Sequence, residues 1–441
     1  MKLRQWLSDN RILVALLVLA AAKSVIWVAA TPPWRSPDSY MHFGYIEYLS
    51  REHSVPLSGQ TYVYDDVLHS LERTNIYGVF GISETHEDFN TPQANNAGGH
   101  PPLYYSLMLP AYWIASGASL ETQLYAVTLL TSIFFLLLVW VAYRLAREIF
   151  PGKGYMQIGV LLLLIFHPQL GFISSAAVQD SLLALLFTWL LYHLVVFAKG
   201  DFSYRRGILI GVAIGLGMLT KSSFLMAYPV GFAVFAALLY SQKGRRIHLL
   251  KVMAAAAGVS LLICGWFYAR NYIELGAAQP YVKTERYGTN NILVLWLRTG
   301  FRADLISSFL GNFSWLSIPL PITELCWFRR ILQVAFIGLA AALVIGWRRP
   351  SWQIMKTWAA VLFGCTFMVF LVAVSYFEIT VGGAQGRYLF PAVFPFWALF
   401  LAGLVGWMPP PWRPRATAVI VSIAALLFTW SLLMEFLPRV S

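Results

Sequence analysis

Thr31-Pro32-Pro33-Trp34-Arg35-Ser36-Pro37-Asp38-Ser39-Tyr40-Met41-His42-Phe43-Gly44-Tyr45-Ile46-Glu47-Tyr48-Leu49 follows directly on an apolar run. Residues 12–30 are long enough to cross a bilayer as one helix, so this stretch is expected to emerge at a lipid–water boundary and start a second helix there. Ser36 suits an N-cap, Pro37 the first helical position, and Asp38 the first turn, where free N–H groups and the helix dipole favour an anion. His42 lies one turn on and Tyr45 about a turn further, so the three can share a face. The remainder of the chain reads as a membrane scaffold that holds the Asp38 carboxylate at that boundary.

The composition supports a scaffold of this kind. Of 441 residues, 58% are hydrophobic and only 12% charged, with a mean hydropathy of +0.63. A soluble domain carries roughly a quarter charged residues, so an all-α integral membrane protein with many spans is expected. The 17 Trp suit interfacial belts and also sugar stacking. Residues 12–30 lack a small-residue cleavage site before Pro32, which argues against a removed signal peptide. Cys264, Cys326 and Cys365 are scattered through apolar sequence and read as buried small residues, not as a disulfide framework.

Lys2, Arg4 and Arg11 place the N-terminus in the cytoplasm by the positive-inside rule. Further apolar runs lie at 122–143, 156–174, 181–198, 206–220, 223–241, 248–268, 328–346, 355–376, 387–407 and 416–435, giving about 11 spans in a single polytopic domain, 1–441. The run 102–117 is short, and counting it would put Arg144, Arg147 and Lys153 outside; it reads as a re-entrant or juxtamembrane helix. Two long extracytoplasmic loops result, 31–121 and 269–327. Within the second, 292–310 has the spacing of an amphipathic surface helix. On this topology 18 of the 32 cations, but only Asp9, Glu148 and Asp201 of the 20 carboxylates, face the cytoplasm. The net charge of +12 is thus topological and needs no nucleic-acid partner.

Three short segments then carry a resemblance. Pro37-Asp38-Ser39-Tyr40-Met41-His42-Phe43, His100-Pro101-Pro102-Leu103-Tyr104-Tyr105 and Gln385-Gly386-Arg387-Tyr388-Leu389-Phe390-Pro391, in this order and on this topology, resemble the GT-C class of membrane glycosyltransferases. That class includes protein O-mannosyltransferases and lipid A aminoarabinose transferases. The likeness extends from residue 11 to about 407. The chain departs from many relatives at Ser39, where they carry Glu, so a mechanism that needs two adjacent acids does not transfer to it.

Each charged candidate has a functional reading and a plainer one. The resemblance implies that Asp38 is the general base of an inverting transfer; by position alone it stabilises a helix N-terminus. Arg387, at the outer start of a span, can hold phosphate oxygens bidentately or snorkel to the interface, with Gly386 permitting close approach. Lys221 interrupts an apolar region, as a phosphate contact or an interfacial turn. His100 is placed by the resemblance near donor phosphate or acceptor. His42 can orient Asp38 or remain a hydrogen-bonded surface histidine; with Asp38 and His100 it makes no established metal spacing, so no metal or other cofactor is firmly implied, a divalent ion being the remote alternative. Asp180 starts a span as cap or site-lining group, Lys23 sits within the first span and can snorkel outward, and Glu378 lies close to Arg387 in sequence.

The resemblance thus implies transfer of a sugar, hexosyl or pentosyl, from a polyprenyl-phosphate donor to an extracytoplasmic acceptor hydroxyl on a glycan, lipid or protein. The expected location is the plasma (inner) membrane. A lipid-linked saccharide polymerase or ligase is the alternative within the same chemistry. A transporter or flippase fits less well, since no inverted repeat is apparent and the long polar segments gather on one side. No G-x-x-x-x-G-K-[ST] loop is present for nucleotide phosphate.

Overall fold

A computed structural model describes residues 10–59, 61–76, 95–278 and 288–440. The chain is almost wholly helical. The first helix, α1 (Arg11–Ala30), is followed by α2 (Ser39–Glu52), α3 (Asp65–Arg73) and α4 (Leu103–Ile114). Then come α5 (Leu120–Ile149), the short pair α6 (Gly154–Ile165) and α7 (Pro168–Ser174), α8 (Asp180–Ala198) and α9 (Tyr204–Met218). The second half holds α10 (Ala227–Ser241), α11 (Arg246–Leu275), α12 (Ile292–Leu297), α13 (Thr299–Leu310), α14 (Ile322–Arg348), α15 (Thr357–Thr380), α16 (Val393–Val405) and α17 (Arg413–Trp430).

Among the described residues, nine helices are long and apolar enough to cross a membrane, and α6 with α7, bent by 61° at their break, form a broken span or a re-entrant pair. The described residues thus hold nine or ten of the about 11 spans expected from sequence. The run 206–220 forms α9, whose 15 residues fall short of a full span. The run 156–174 is broken at Pro168, which cannot donate a helical N–H; the His167 ring accepts from Leu170 N and starts α7 afresh. At 12 residues, or roughly 18 Å, α4 is too short to cross.

Four local expectations also change. The helix after the first span begins at Ser39 rather than Pro37, because Asp38 itself adopts a left-handed backbone (φ 59°) and caps nothing with its side chain. Ser36 offers its carbonyl, not its hydroxyl, accepting from Ser39 Oγ at 2.8 Å. The stretch 292–310 divides at Arg298 into α12 and α13, and α13 is not a surface helix: Phe301, Leu305, Phe309 and Leu310 are buried. Cys264 is buried, whereas Cys326 and Cys365 lie exposed on helix surfaces. A two-residue antiparallel hairpin, Asn312–Phe313 with Ile318–Pro319, is the sheet content of the described residues.

Burial is uneven in a way that positions the site. The apolar windows of α11 and α14 are only 28% and 22% buried inside the protein, leaving broad faces for lipid. Those of α8 and of the span Gly386–Val405 are 78% and 83% buried, so these two helices form the centre of the bundle. Each begins with or next to a charged residue, Asp180 and Arg387. A cation or carboxylate at the start of a central helix must meet an opposite charge or a polar cavity.

Candidate active site

Five segments far apart in sequence bring their ends together. The start of α8 supplies Asp180, and the turn after α9 supplies Lys221, whose Nζ donates to Asp180 Oδ1 at 2.9 Å. Arg387, second residue of the 3-10 helix Gly386–Ala392 that leads into α16, lies between two carboxylates. Its Nη2 donates to Asp38 Oδ2 at 2.5 Å, and its Nη1 stands 3.8 Å from Asp180 Oδ2. The chain of charges Asp38, Arg387, Asp180, Lys221 is neutral in sum, which is how four ionised groups are tolerated in a half-dry site. Tyr388 lies under both cations, its ring centroid 4.8 Å from Lys221 Nζ and 5.7 Å from Arg387 Cζ.

The backbone around Arg387 is fixed from behind. Gly386 N donates to Ser308 Oγ at 2.7 Å, and a Cβ on Gly386 would lie 2.2 Å from Phe309 N and 2.5 Å from Leu305 O. The glycine lets this loop pack closely against α13. The preceding turn contains Gly382 and Gly383, both with positive φ, and Glu378 at the end of α15 closes it by accepting from Ala384 N. Glu378 therefore braces the loop that carries Arg387, with its carboxylate engaged by that loop's backbone.

The aromatic wall comes from α2 and α4. His42 Nδ1 is 2.7 Å from Tyr105 Oη, and its ring stacks on Tyr105 and on His100 with centroids 5.7 Å apart in each case. Tyr45 stacks on Tyr105 at 3.8 Å and donates its hydroxyl to His100 O. Leu103 N donates to Leu219 O, so the His100-Pro101-Pro102 segment is tied to the end of α9 just before Lys221. Tyr105 and Tyr388 had no role assigned from sequence. Tyr388 follows Arg387 and Tyr105 ends the quoted His100 motif, and those motifs were the available signal.

Burial and neighbouring cations set the protonation states. Burial alone would raise the Asp38 pKa, but Arg387 above all, with Lys221, outweighs it and holds the carboxyl below its ordinary range, so it is ionised. Burial lowers His42 to about 3; burial, with Lys221 adding, lowers His100 to about 4. Both imidazoles are neutral at physiological pH. Buried His100 Nδ1 and buried Arg387 Nε and Nη1 have no hydrogen-bond partner among the described residues. Donors left unsatisfied beside a polar wall are positioned for a ligand or ordered water.

Lys23 is placed elsewhere. It does not snorkel: it is buried at 2% exposure, donates to His167 O at 3.1 Å, and lies over the rings of Phe135 and Phe428. Its amine fills the break between α6 and α7, where Gly171 has no side chain to obstruct it. Among the described residues, no group of three or more His, Cys, Asp or Glu side chains is arranged to hold a metal ion. Both site carboxylates are engaged by cations.

The comparisons with known proteins agree with this architecture. The family model described as dolichyl-phosphate-mannose-protein mannosyltransferase matches residues 100–268, a segment with His100, Asp180 and Lys221 but not Asp38 or Arg387. Curated proteins give no match by sequence. Among solved structures, ArnT from Cupriavidus metallidurans bound to undecaprenyl phosphate is similar at TM-score 0.52 and 14% identity, over 97% of this chain and 73% of that one. The Archaeoglobus fulgidus oligosaccharyltransferase in its apo form is similar at TM-score 0.54 and 16% identity, over 95% of this chain and 55% of its own. The archaeal enzyme AglB in complex with an inhibitory peptide and a dolichol-phosphate gives TM-score 0.54 and 15% identity, over 99% and 56%. This chain spans little more than half the length of the archaeal enzyme.

The protein is thus a multispan membrane protein with the GT-C fold. Its likeness to the GT-C class, first carried by three short motifs, extends over nearly the whole chain.

Proposed function

We propose that the protein transfers a sugar from a polyprenyl-phosphate donor to the hydroxyl of an acceptor at the extracytoplasmic membrane face, with inversion. The N-terminus is then cytoplasmic and the Asp38–Arg387 cluster faces outward, in the plasma (inner) membrane. The observation that carries this reading is the meeting of an ionised carboxylate, Asp38, with Arg387, which Asp180 links in turn to Lys221, at the starts of the two central helices. Undecaprenyl phosphate and dolichol-phosphate are bound by two proteins of the same fold, which supports a lipid-phosphate donor.

In this mechanism the acceptor O–H loses its proton to an Asp38 carboxylate oxygen as the acceptor oxygen bonds to the anomeric carbon. The bond from that carbon to the phosphate oxygen breaks, and the pair stays on the departing polyprenyl phosphate. Arg387 and Lys221 take up the charge that develops there, where preorganised donors in a half-dry site act most strongly. Arg387 is shared between Asp38 and the phosphate, so arrival of the anion loosens its hold on Asp38 and makes the carboxylate more basic. His100, with an unpaired ring nitrogen, contacts donor phosphate or acceptor. Asp180 keeps both cations in place.

The test is turnover of a panel of polyprenyl-phosphate sugars by purified protein in lipid, read as donor consumed and free polyprenyl phosphate formed. Asn accepts left-handed backbone as Asp does, so Asp38→Asn removes the charge with little strain. It is expected to lower turnover by roughly 10²–10⁴-fold, the usual worth of a general base. Turnover equal to the parent would remove Asp38 from this role. Transfer only from pyrophosphate-linked donors would favour the oligosaccharide ligase reading, which the likeness to the archaeal oligosaccharyltransferase supports.

A further inference from the structure

Helix α9 ends beside Lys221 and begins at Tyr204, roughly 20 Å away along its axis. The span α8 starts at Asp180 in the cluster and ends at Ala198, shortly before Tyr204, so Tyr204 marks the membrane face opposite the Asp38–Arg387 cluster. There the turn Lys243–Arg245, between α10 and α11, walls an open hollow of about 440 Å³ with Tyr204, Lys243, Arg245, Arg246, His248 and Lys251 around it. A small-molecule site typically occupies about 300–1,000 Å³.

Four cations surround this hollow, and none makes an ion pair with a carboxylate among the described residues. The neighbouring acids are engaged elsewhere, Asp201 by Arg206 and Glu148 by Lys199. Three cations within four positions, Lys243, Arg245 and Arg246, repel one another, and an anion in the hollow would relieve that. The walls are nonetheless fixed. His248 donates Nε2–H to Phe202 O at 2.7 Å, Arg246 Nε donates to Leu239 O at 2.9 Å, and the Arg245 guanidinium lies 5.6 Å from the Phe202 ring. Lys243 and Lys251 are exposed, with no such anchor among the described residues.

Beside these charges stand apolar side chains that face outward, Tyr240 at 80% and Ile247 at 73% exposure. On a membrane protein such side chains at helix ends meet acyl chains and glycerol backbones, so an anion reaching this hollow would be carried by lipid. We propose that the hollow binds the phosphate of an anionic phospholipid in the leaflet opposite the cluster, independently of the transfer reaction. Basic pockets between helix ends at a membrane face suit such headgroups.

The test is thermal unfolding of the full chain in detergent, titrated with short-chain phosphatidylglycerol, with matched phosphatidylcholine, and with inorganic phosphate. Phosphatidylglycerol is expected to raise the unfolding temperature saturably, and the other two are not. In Lys243→Gln/Lys251→Gln the half-saturation should weaken roughly thirtyfold, about fivefold for each cation removed. Lys243→Arg/Lys251→Arg should stay within about twofold of the parent. Unchanged half-saturation in the Gln variant, or an equal response to phosphatidylcholine, would overturn the proposal. Saturation by inorganic phosphate alone would overturn the lipid as its source. Were the double Gln variant unfolded, Lys251→Gln alone should still show the fivefold loss, and parental half-saturation there would overturn the site.

Discussion

Arg387 and Asp38, 349 positions apart, form a direct ion pair, and the same guanidinium reaches toward Asp180. One end of the chain thereby supplies a carboxylate and the other its cation. The pair is unequal: the Arg387 side chain is 4% exposed and that of Asp38 36%. Arg387 is the buried anchor, and Asp38 is the partner that can leave it toward an arriving ligand.

Asp180 is the group on which two cations depend, so Asp180→Asn is expected to destabilise the protein strongly. Removing one partner of a buried pair costs about 3–5 kcal/mol because it strands the other charge. Adding Lys221→Gln to Asp180→Asn should cost less than the two single changes summed. Thermal or denaturant unfolding of the four proteins in detergent closes the cycle. Strict additivity would mean the pair does not interact.

Acid should weaken the fold through His42 and His100. Both bind protons in the folded protein only at about 3 and about 4, against 6.5 for a free imidazole. The unfolded chain thus holds more protons below pH 6.5; their stability contribution is complete above that value and declines as pH falls toward 4 and 3. The slope is up to about 1.4 kcal/mol per pH unit for each histidine. Glu47, pushed by burial up to about 7, acts in the opposite direction between pH 4.5 and 7, so the informative comparison is between variants. Unfolding at pH 7 and pH 5 should separate less for His100→Gln than for the parent; equal separation would show that His100 is not held neutral.

Gly386→Ala should disturb the site without touching a charge. The new methyl group would meet two backbone atoms of α13, which cannot move as a side-chain end does. Overpacking of this kind costs about 1–3 kcal/mol and would displace Arg387. Lowered unfolding temperature together with reduced donor turnover is expected; normal values for both would mean that α13 yields freely.

Lys23→Met tests a buried cation outside the cluster. Among the described residues Lys23 pairs with no carboxylate, and His167 O keeps a donor in Gly171 N when the amine is gone. Burying an unpaired charge is costly, so an apolar side chain of similar length should leave stability equal or raise it, with donor turnover unchanged. A marked fall in unfolding temperature would reveal an anionic or water partner for the amine.

Hydropathy alone determined that this chain is a membrane protein and where most of its helices lie, because each apolar run is long enough to declare itself locally. It also marked Asp38, Asp180, Lys221 and Arg387, since charges that interrupt apolar sequence or stand at its ends are costly to place without purpose; His100 came from the resemblance. Which of them meet was decided only by tertiary structure. Lys23 looked equally exceptional, yet its partner is the His167 carbonyl at the break before Pro168, 144 positions away from it in the chain. Glu378 was near Arg387 in sequence, but its carboxylate turned to the backbone of its own loop. Local sequence sets the depth of a charge along a helix; the packing of one helix against another sets the direction it faces, and with it the charge it meets.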